Sequence, residues 1–208
     1  MRNYTLVYII SYLLIYILIM YYNQAFFLKD DLYRLLIGSQ MSERQFVDYM
    51  EFMRKWQWVS YLFIPVAMLL RICFIWLCLK AGSFVTENFT DSPFWNITIQ
   101  AELVFVIGAL AGLLYTEFFV DVATLEQLSI NPFSLQVVLS QSVPKWSNYL
   151  FNTLNLFELG YILFLTYLLA SASKKTFIPS LKFVASTYLP GLALWVLLVT
   201  YFSVVFQP

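Results

Sequence analysis

The chain has 208 residues, 61% of them hydrophobic and 20% aromatic, with only 12% charged and a mean hydropathy of +0.74. Soluble domains are nearer a quarter charged, so this composition excludes an ordinary soluble fold and describes an integral membrane protein. Twelve basic residues balance twelve acidic ones without clustering, which argues against nucleic acid as a partner, and the lack of histidine removes the commonest general base and metal ligand.

The first apolar run carries no charge and is read as a retained transmembrane helix over about 4–26. It is too long, and too rich in tyrosine, for a secretory leader, whose apolar core is roughly 7–15 residues. Residues 29–56 follow as the one stretch of soluble character, with mixed charges opposite an apolar stripe of Phe46, Met50 and Met53. Ser42-Glu-Arg-Gln45 has the form of a capping box, and Gly38-Ser39 separates it from a shorter apolar segment. The expectation is an amphipathic connector, lying on the bilayer or against the bundle, that could also receive a protein partner. Trp56 and Trp58 mark a headgroup boundary before a second span over about 58–79, which holds Pro65 and Arg71. Cys73 and Cys78 lie in that span, five residues apart. Helical geometry points them to different sides, so they read as small hydrophobes and no disulfide is expected.

A third span is expected over about 97–119, with Glu102 inside it and Glu117 near its far end. Gly108 and Gly112 form a small-xxx-small pair, a pattern that lets another helix approach closely. Residues 121–145 contain Asn131-Pro132-Phe133, a short apolar patch and Pro144. This segment is too short of apolar residues to cross, since about 20 are needed, so it reads as re-entrant or interfacial. A fourth span is expected over about 149–171 and a fifth over about 183–206, separated by a turn holding Lys174 and Lys175.

Asn148, Asn152, Asn155 and Glu158 are spaced four, three and three apart, which places them on one face if the fourth span is a continuous helix. Such a stripe must face protein and not lipid. Arg71, Glu102, Glu117 and Glu158 are the ionisable residues inside expected spans. A lone charge at the bilayer centre costs about 2.5–3.5 kcal/mol, so pairing is expected. Counted from the shared side at about 1.5 Å per residue, Arg71 lies roughly 13 Å deep, Glu102 roughly 9 Å and Glu158 roughly 20 Å. Arginine can reach either of the latter two acids. A buried polar network of Arg71, Glu102, Asn152, Asn155 and Glu158 is the candidate site, either as a structural ion pair or as a polar path.

The order Asn131-Pro132-Phe133-Ser134, Asn155-Leu-Phe-Glu158-Leu159, Tyr161-Ile-Leu-Phe-Leu165, Ser171-Ala-Ser-Lys174 and Tyr188 resembles the bacterial Yip1-like membrane domain over roughly 95–206. The resemblance implies five spans with the N-terminus inside. It carries no catalytic signature; eukaryotic relatives are linked to vesicle trafficking.

The expected fold is therefore all-α, a single polytopic helix bundle over 1–208 with five transmembrane helices and an amphipathic helix in the first loop. No catalytic residue, cofactor or metal site is expected. The lipid bilayer is the expected partner and a bacterial inner membrane, with the N-terminus cytoplasmic, the expected location. A non-enzymatic scaffold or interaction protein is the leading functional expectation. The alternative is a small transporter or channel-like subunit using Arg71, Glu158 and the asparagines as a polar pathway.

Overall fold

A chain this apolar must satisfy its backbone hydrogen bonds internally wherever it meets lipid, and helices do so locally. The computed structural model describes residues 2–28, 30–37, 41–87, 89–90, 92–120, 130–139 and 145–206. In chain order these form α1 (Arg2–Phe26), α2 (Asp30–Ile37), α3 (Glu43–Thr86), α4 (Phe94–Ala101), α5 (Leu103–Phe119), α6 (Leu135–Leu139), a 3-10 turn (Lys145–Ser147), α7 (Asn148–Thr153), α8 (Leu156–Ser173) and α9 (Phe177–Val205). Gly38-Ser39, Pro144 and the stretch 121–129 lie outside the described residues. Among the described residues, five segments are long and apolar enough to cross a membrane: Tyr4–Phe26, Glu43–Thr86, Phe94–Phe119, Leu156–Ser173 and Phe177–Val205. The fold is thus an all-α membrane bundle.

The connector is not an element separate from the second span. α3 runs unbroken for 44 residues, about 66 Å at 1.5 Å per residue, against a hydrocarbon core of about 30 Å. Its start is set by the capping box, with Ser42 Oγ accepting from Gln45 N and Gln45 Oε1 accepting from Ser42 N. No glycine or proline interrupts it before Pro65, so nothing ends the helix at the membrane boundary. The first half of α3 therefore prolongs the second span as a stalk. α2 folds back along it: Arg34 reaches Glu43 at 2.6 Å and sits over the Phe46 ring, while Arg54 pairs with Asp30. Leu32, Phe46 and Met50 are buried between the two helices, whereas Met53, expected on the same face, is 37% exposed. Gln24 Oε1 accepts from Gln57 Nε2 and from the Tyr61 hydroxyl, both at 2.6 Å, which ties the end of α1 to the base of the stalk.

α1, α3, α9, α8 and the α4–α5 pair are packed as a ring: α1 on α3, α3 on α9, α9 on α8, and α8 on α4 and α5, which return to α1. The two halves of the third span differ in neighbours. α4 packs against α1, α3 and α8 together, while α5 keeps α1 and α8. The α4 half of the ring is consequently filled by side chains such as Ile75, Leu79, Phe94, Ala101, Leu165 and Val184. This end, which carries the turn at Lys174, is the closed end. The end carrying the stalk is the open end. Two glycines let α3 and α9 touch: a Cβ on Gly82 would fall 1.9 Å from Thr187 Cγ2, and one on Gly191 would fall 2.5 Å from Cys78 Sγ. Cys78 is thus packing material, and both cysteines are free thiols.

The fourth span expected over about 149–171 is not one helix: α8 alone is the segment long and apolar enough to cross, and a break separates it from α7. α7 ends at Thr153, Asn155 is extended (φ −132°, ψ 166°), and α8 begins at Leu156. Counted back from Ser171 at about 1.5 Å per residue, Asn155 lies about 24 Å from the closed end, still within a core of about 30 Å. Irregular backbone at that depth must be satisfied by protein. Here the segment 130–139 supplies the partners, forming a two-stranded bridge between Ser134 and Asn155. Leu135 N donates to Leu154 O at 3.0 Å and Leu156 N donates to Phe133 O at 3.1 Å.

Candidate functional site

The ring that α4 fills at the closed end is hollow at the open end. A cavity of about 1030 Å³ lies there, lined by residues of α1, α3, α5, α7, α8 and α9 and by Asn131 and Pro132. Its floor is polar because α1, α3 and α8 deliver Tyr16, Arg71 and Glu158 to it.

The local irregularities of the third and fourth spans create that floor. Glu102 occupies the joint between α4 and α5, where its carbonyl still accepts from Phe105 N and Val106 N. Its side chain is wholly buried and ion-pairs with Arg71 Nη2; Arg71 Nε also donates to Glu102 Oε2 at 3.2 Å. Tyr16 donates to Glu102 Oε1 at 3.2 Å and accepts from Arg71 at 3.1 Å, and the guanidinium stacks over Phe105 at 4.4 Å. Of the two acids within reach by depth, Glu102 is the one that Arg71 engages. The arginine side chain is 38% exposed, and Arg71 lines the cavity while Glu102 lies beneath its floor.

Glu158 lines the same floor and is 7% exposed. It sits in the first turn of α8, where the helix dipole favours an anion. Its Oε1 accepts from the Tyr188 hydroxyl at 2.5 Å. Among the described residues it makes no ion pair. Tyr161, one turn further along α8, is fully buried, stacks on Phe105 at 4.5 Å, and its hydroxyl finds no hydrogen-bond partner among the described residues.

The asparagines do not form the single helical stripe expected from their spacing, because the helix breaks between them. Asn155 caps α8, its Oδ1 accepting from Glu158 N at 2.9 Å, while its Nδ2 donates to Asn152 O and Thr153 O. Asn152 Oδ1 accepts from Asn131 N at 2.9 Å, fastening the 130–139 segment to α7. Both still border the cavity. Asn152 and Asn155 instead hold the break between α7 and α8 at the cavity wall.

Gly108 and Gly112 part company. A Cβ at Gly108 would stand 2.8 Å from Phe157 Cγ, so this glycine permits the approach of α5 to α8. At Gly112 no atom of the described residues lies within 4 Å of that position, and it lines the cavity. Glu117 is not among the cavity-lining residues. Residues that the sequence did not single out complete the wall: Phe74 and Trp195 meet at 5.4 Å, and Trp195 Nε1 donates to the Tyr149 hydroxyl at 2.9 Å. Their signal in the sequence was drowned by the abundance of aromatic residues.

The fold and site together define a class, a polytopic integral membrane bundle with a polar-floored cavity beside a helix break. Compared with protein-family models, characterised proteins and solved structures, the chain shows no significant match.

Proposed function

We propose that this protein is a non-enzymatic solute-binding membrane protein of the small transporter or channel-subunit type, with the cavity as its solute site. The observation that carries this reading is the broken fourth span bordering the cavity. The break at Asn155, its backbone satisfied by the 130–139 segment, brings Asn152, Asn155 and Glu158 to the cavity wall, polar groups suited to holding a ligand against α8. The volume of about 1030 Å³ suits a drug-sized molecule. The lack of histidine in the sequence supports a role without catalysis. Residues on which the Yip1-like resemblance rests, Asn131, Asn155, Glu158 and Tyr188, lie around this cavity, and we propose the relationship on that basis.

We place the protein in a bacterial inner membrane with its N-terminus cytoplasmic. Lys174 and Lys175, in the short turn between α8 and α9, and Lys80 and Lys182, near the closed-end termini of α3 and α9, support that orientation. The cavity then opens toward the outer face. A second reading, the scaffold, is favoured by the stalk, where the apolar side chains Val47 and Phe52 are 46% and 58% exposed ahead of the headgroup boundary at Trp56.

Water access to the cavity tests the first reading. In a background lacking Cys73 and Cys78, Gly112→Cys should react with a charged methanethiosulfonate reagent at a rate at least about tenfold above that of the core control Leu165→Cys. Leu165 is wholly buried. Equal inertness of the two positions would remove the solute site and leave the scaffold.

A further inference from the structure

Resting on the solute-site reading, we infer that the cavity takes a lipophilic organic cation, held between the Glu158 carboxylate and an aromatic wall of Phe74, Tyr149 and Trp195. Charge, volume and wall chemistry each lead there.

Charge comes first. The floor carries one cation and two acids, but Arg71 is already committed: it pairs with Glu102 through two nitrogens, stacks on Phe105 and donates to Tyr16. Arg71 and Glu102 cancel. Glu158 remains, with a single neutral partner, the Tyr188 hydroxyl on Oε1. Among the described residues nothing hydrogen-bonds its Oε2, and the residue borders the cavity. An acid so placed, in surroundings of low dielectric, is stabilised by an incoming positive charge. An anionic solute would meet a guanidinium already neutralised by Glu102 and would have to approach the Glu158 carboxylate as well.

A bare metal ion lacks a ligand set there, since among the described residues no three Cys, Asp or Glu side chains gather to hold one, and a volume of about 1030 Å³ has room for a large organic cation. The wall supplies what a large cation needs. Phe74 and Trp195 lie 5.4 Å apart, and Trp195 is oriented by its hydrogen bond to Tyr149. Ring faces attract quaternary ammonium and phosphonium groups, whose apolar surface also favours this setting. Leu70, Leu113 and Leu192 give the remaining lining its apolar character.

The test uses the full chain in detergent and three tetrahedral tetraphenyl probes of matched shape: tetraphenylphosphonium, the neutral tetraphenylsilane and the anionic tetraphenylborate. Equilibrium binding should be saturable for the phosphonium and at least about tenfold weaker for the other two. Glu158→Gln should raise its dissociation constant by about tenfold or more, and Trp195→Ala by about threefold or more. A measurement on the unmodified protein guards against a variant that fails to fold. Carbodiimide labelling of Glu158, read by peptide mass, should be blocked by saturating phosphonium and unaffected by tetraphenylborate. Preference for tetraphenylborate or for the neutral probe overturns the cation while leaving the solute site in place. So does phosphonium binding that neither protects Glu158 nor responds to Glu158→Gln. Failure of all three probes to bind likewise overturns it, and thiol access at Gly112→Cys then decides separately whether the cavity is a solute site.

Discussion

Arg71 and Glu102 show at the residue scale what a buried pair does to its neighbours. Removing one partner from a buried ion pair typically costs about 3–5 kcal/mol, because the other charge is left uncompensated. Glu102 is wholly buried, but the Arg71 side chain is 38% exposed to the cavity, so the lower end of that range applies. Glu102→Gln should therefore lower the thermal midpoint in detergent markedly. The double variant Arg71→Met/Glu102→Gln should recover much of the loss, since no lone cation remains. A double variant less stable than Glu102→Gln alone would mean that the stacking of Arg71 on Phe105, at 4.4 Å, outweighs its charge. Tyr16 is the third member of this cluster, and its position on α1 is what joins the first span to the floor.

The helix break is the decisive feature at the element scale. Asn155 is bonded three times over, to Glu158 N, Asn152 O and Thr153 O. An N-cap asparagine replaced by alanine costs about 0.5–2 kcal/mol. Here the two donated bonds inside the bundle add to that loss. Asn155→Ala should lower the thermal midpoint, and Asn155→Ser, which restores the cap acceptor, should recover part of it. Equal midpoints for the two variants would show that the cap contributes nothing and that the 130–139 segment alone holds the break. The small residues that matter for packing act between other elements. Gly82 and Gly191 lie where α3 meets α9, too close for a Cβ without movement of Thr187 or Cys78. The Gly108/Gly112 pattern was visible in the sequence, yet only Gly108 meets a neighbour there, because a pattern along one helix does not specify which helix will face it.

The five spans set sidedness at the scale of the whole molecule. The stalk and the turn after α8 are separated by an odd number of crossings, the second, third and fourth spans, so they lie on opposite faces. Glu51 and Thr176 are exposed positions on those two parts. In sealed vesicles, Glu51→Cys and Thr176→Cys should react with an impermeant maleimide from opposite sides, in a background lacking the native cysteines. Labelling of both from one side would mean that one of the intervening spans does not cross. The exposed ion pairs between α2 and α3 contribute little to stability, as surface pairs generally do. The hairpin rests instead on the burial of Leu32, Phe46 and Met50.

Hydropathy and length are local properties, so the sequence alone determined the membrane class, the all-α fold, five apolar spans and the presence of charges that need partners within them. It also located the capping box at Ser42, whose bonds form within four residues. Everything that depended on how spans lie beside one another was decided by the tertiary structure. Depth counting left Arg71 able to reach either acid, and the lateral position of α4 chose Glu102. Spacing put the asparagines on one face, and the bridge from Ser134 to Asn155, formed across twenty-one positions of chain, broke that face. The connector and second span had different compositions but no residue to separate them, so they became one helix. The cavity itself has no sequence signature. It exists because α4 fills the ring at one end and α5 leaves it open at the other, and a void is a property of packing, not of any segment.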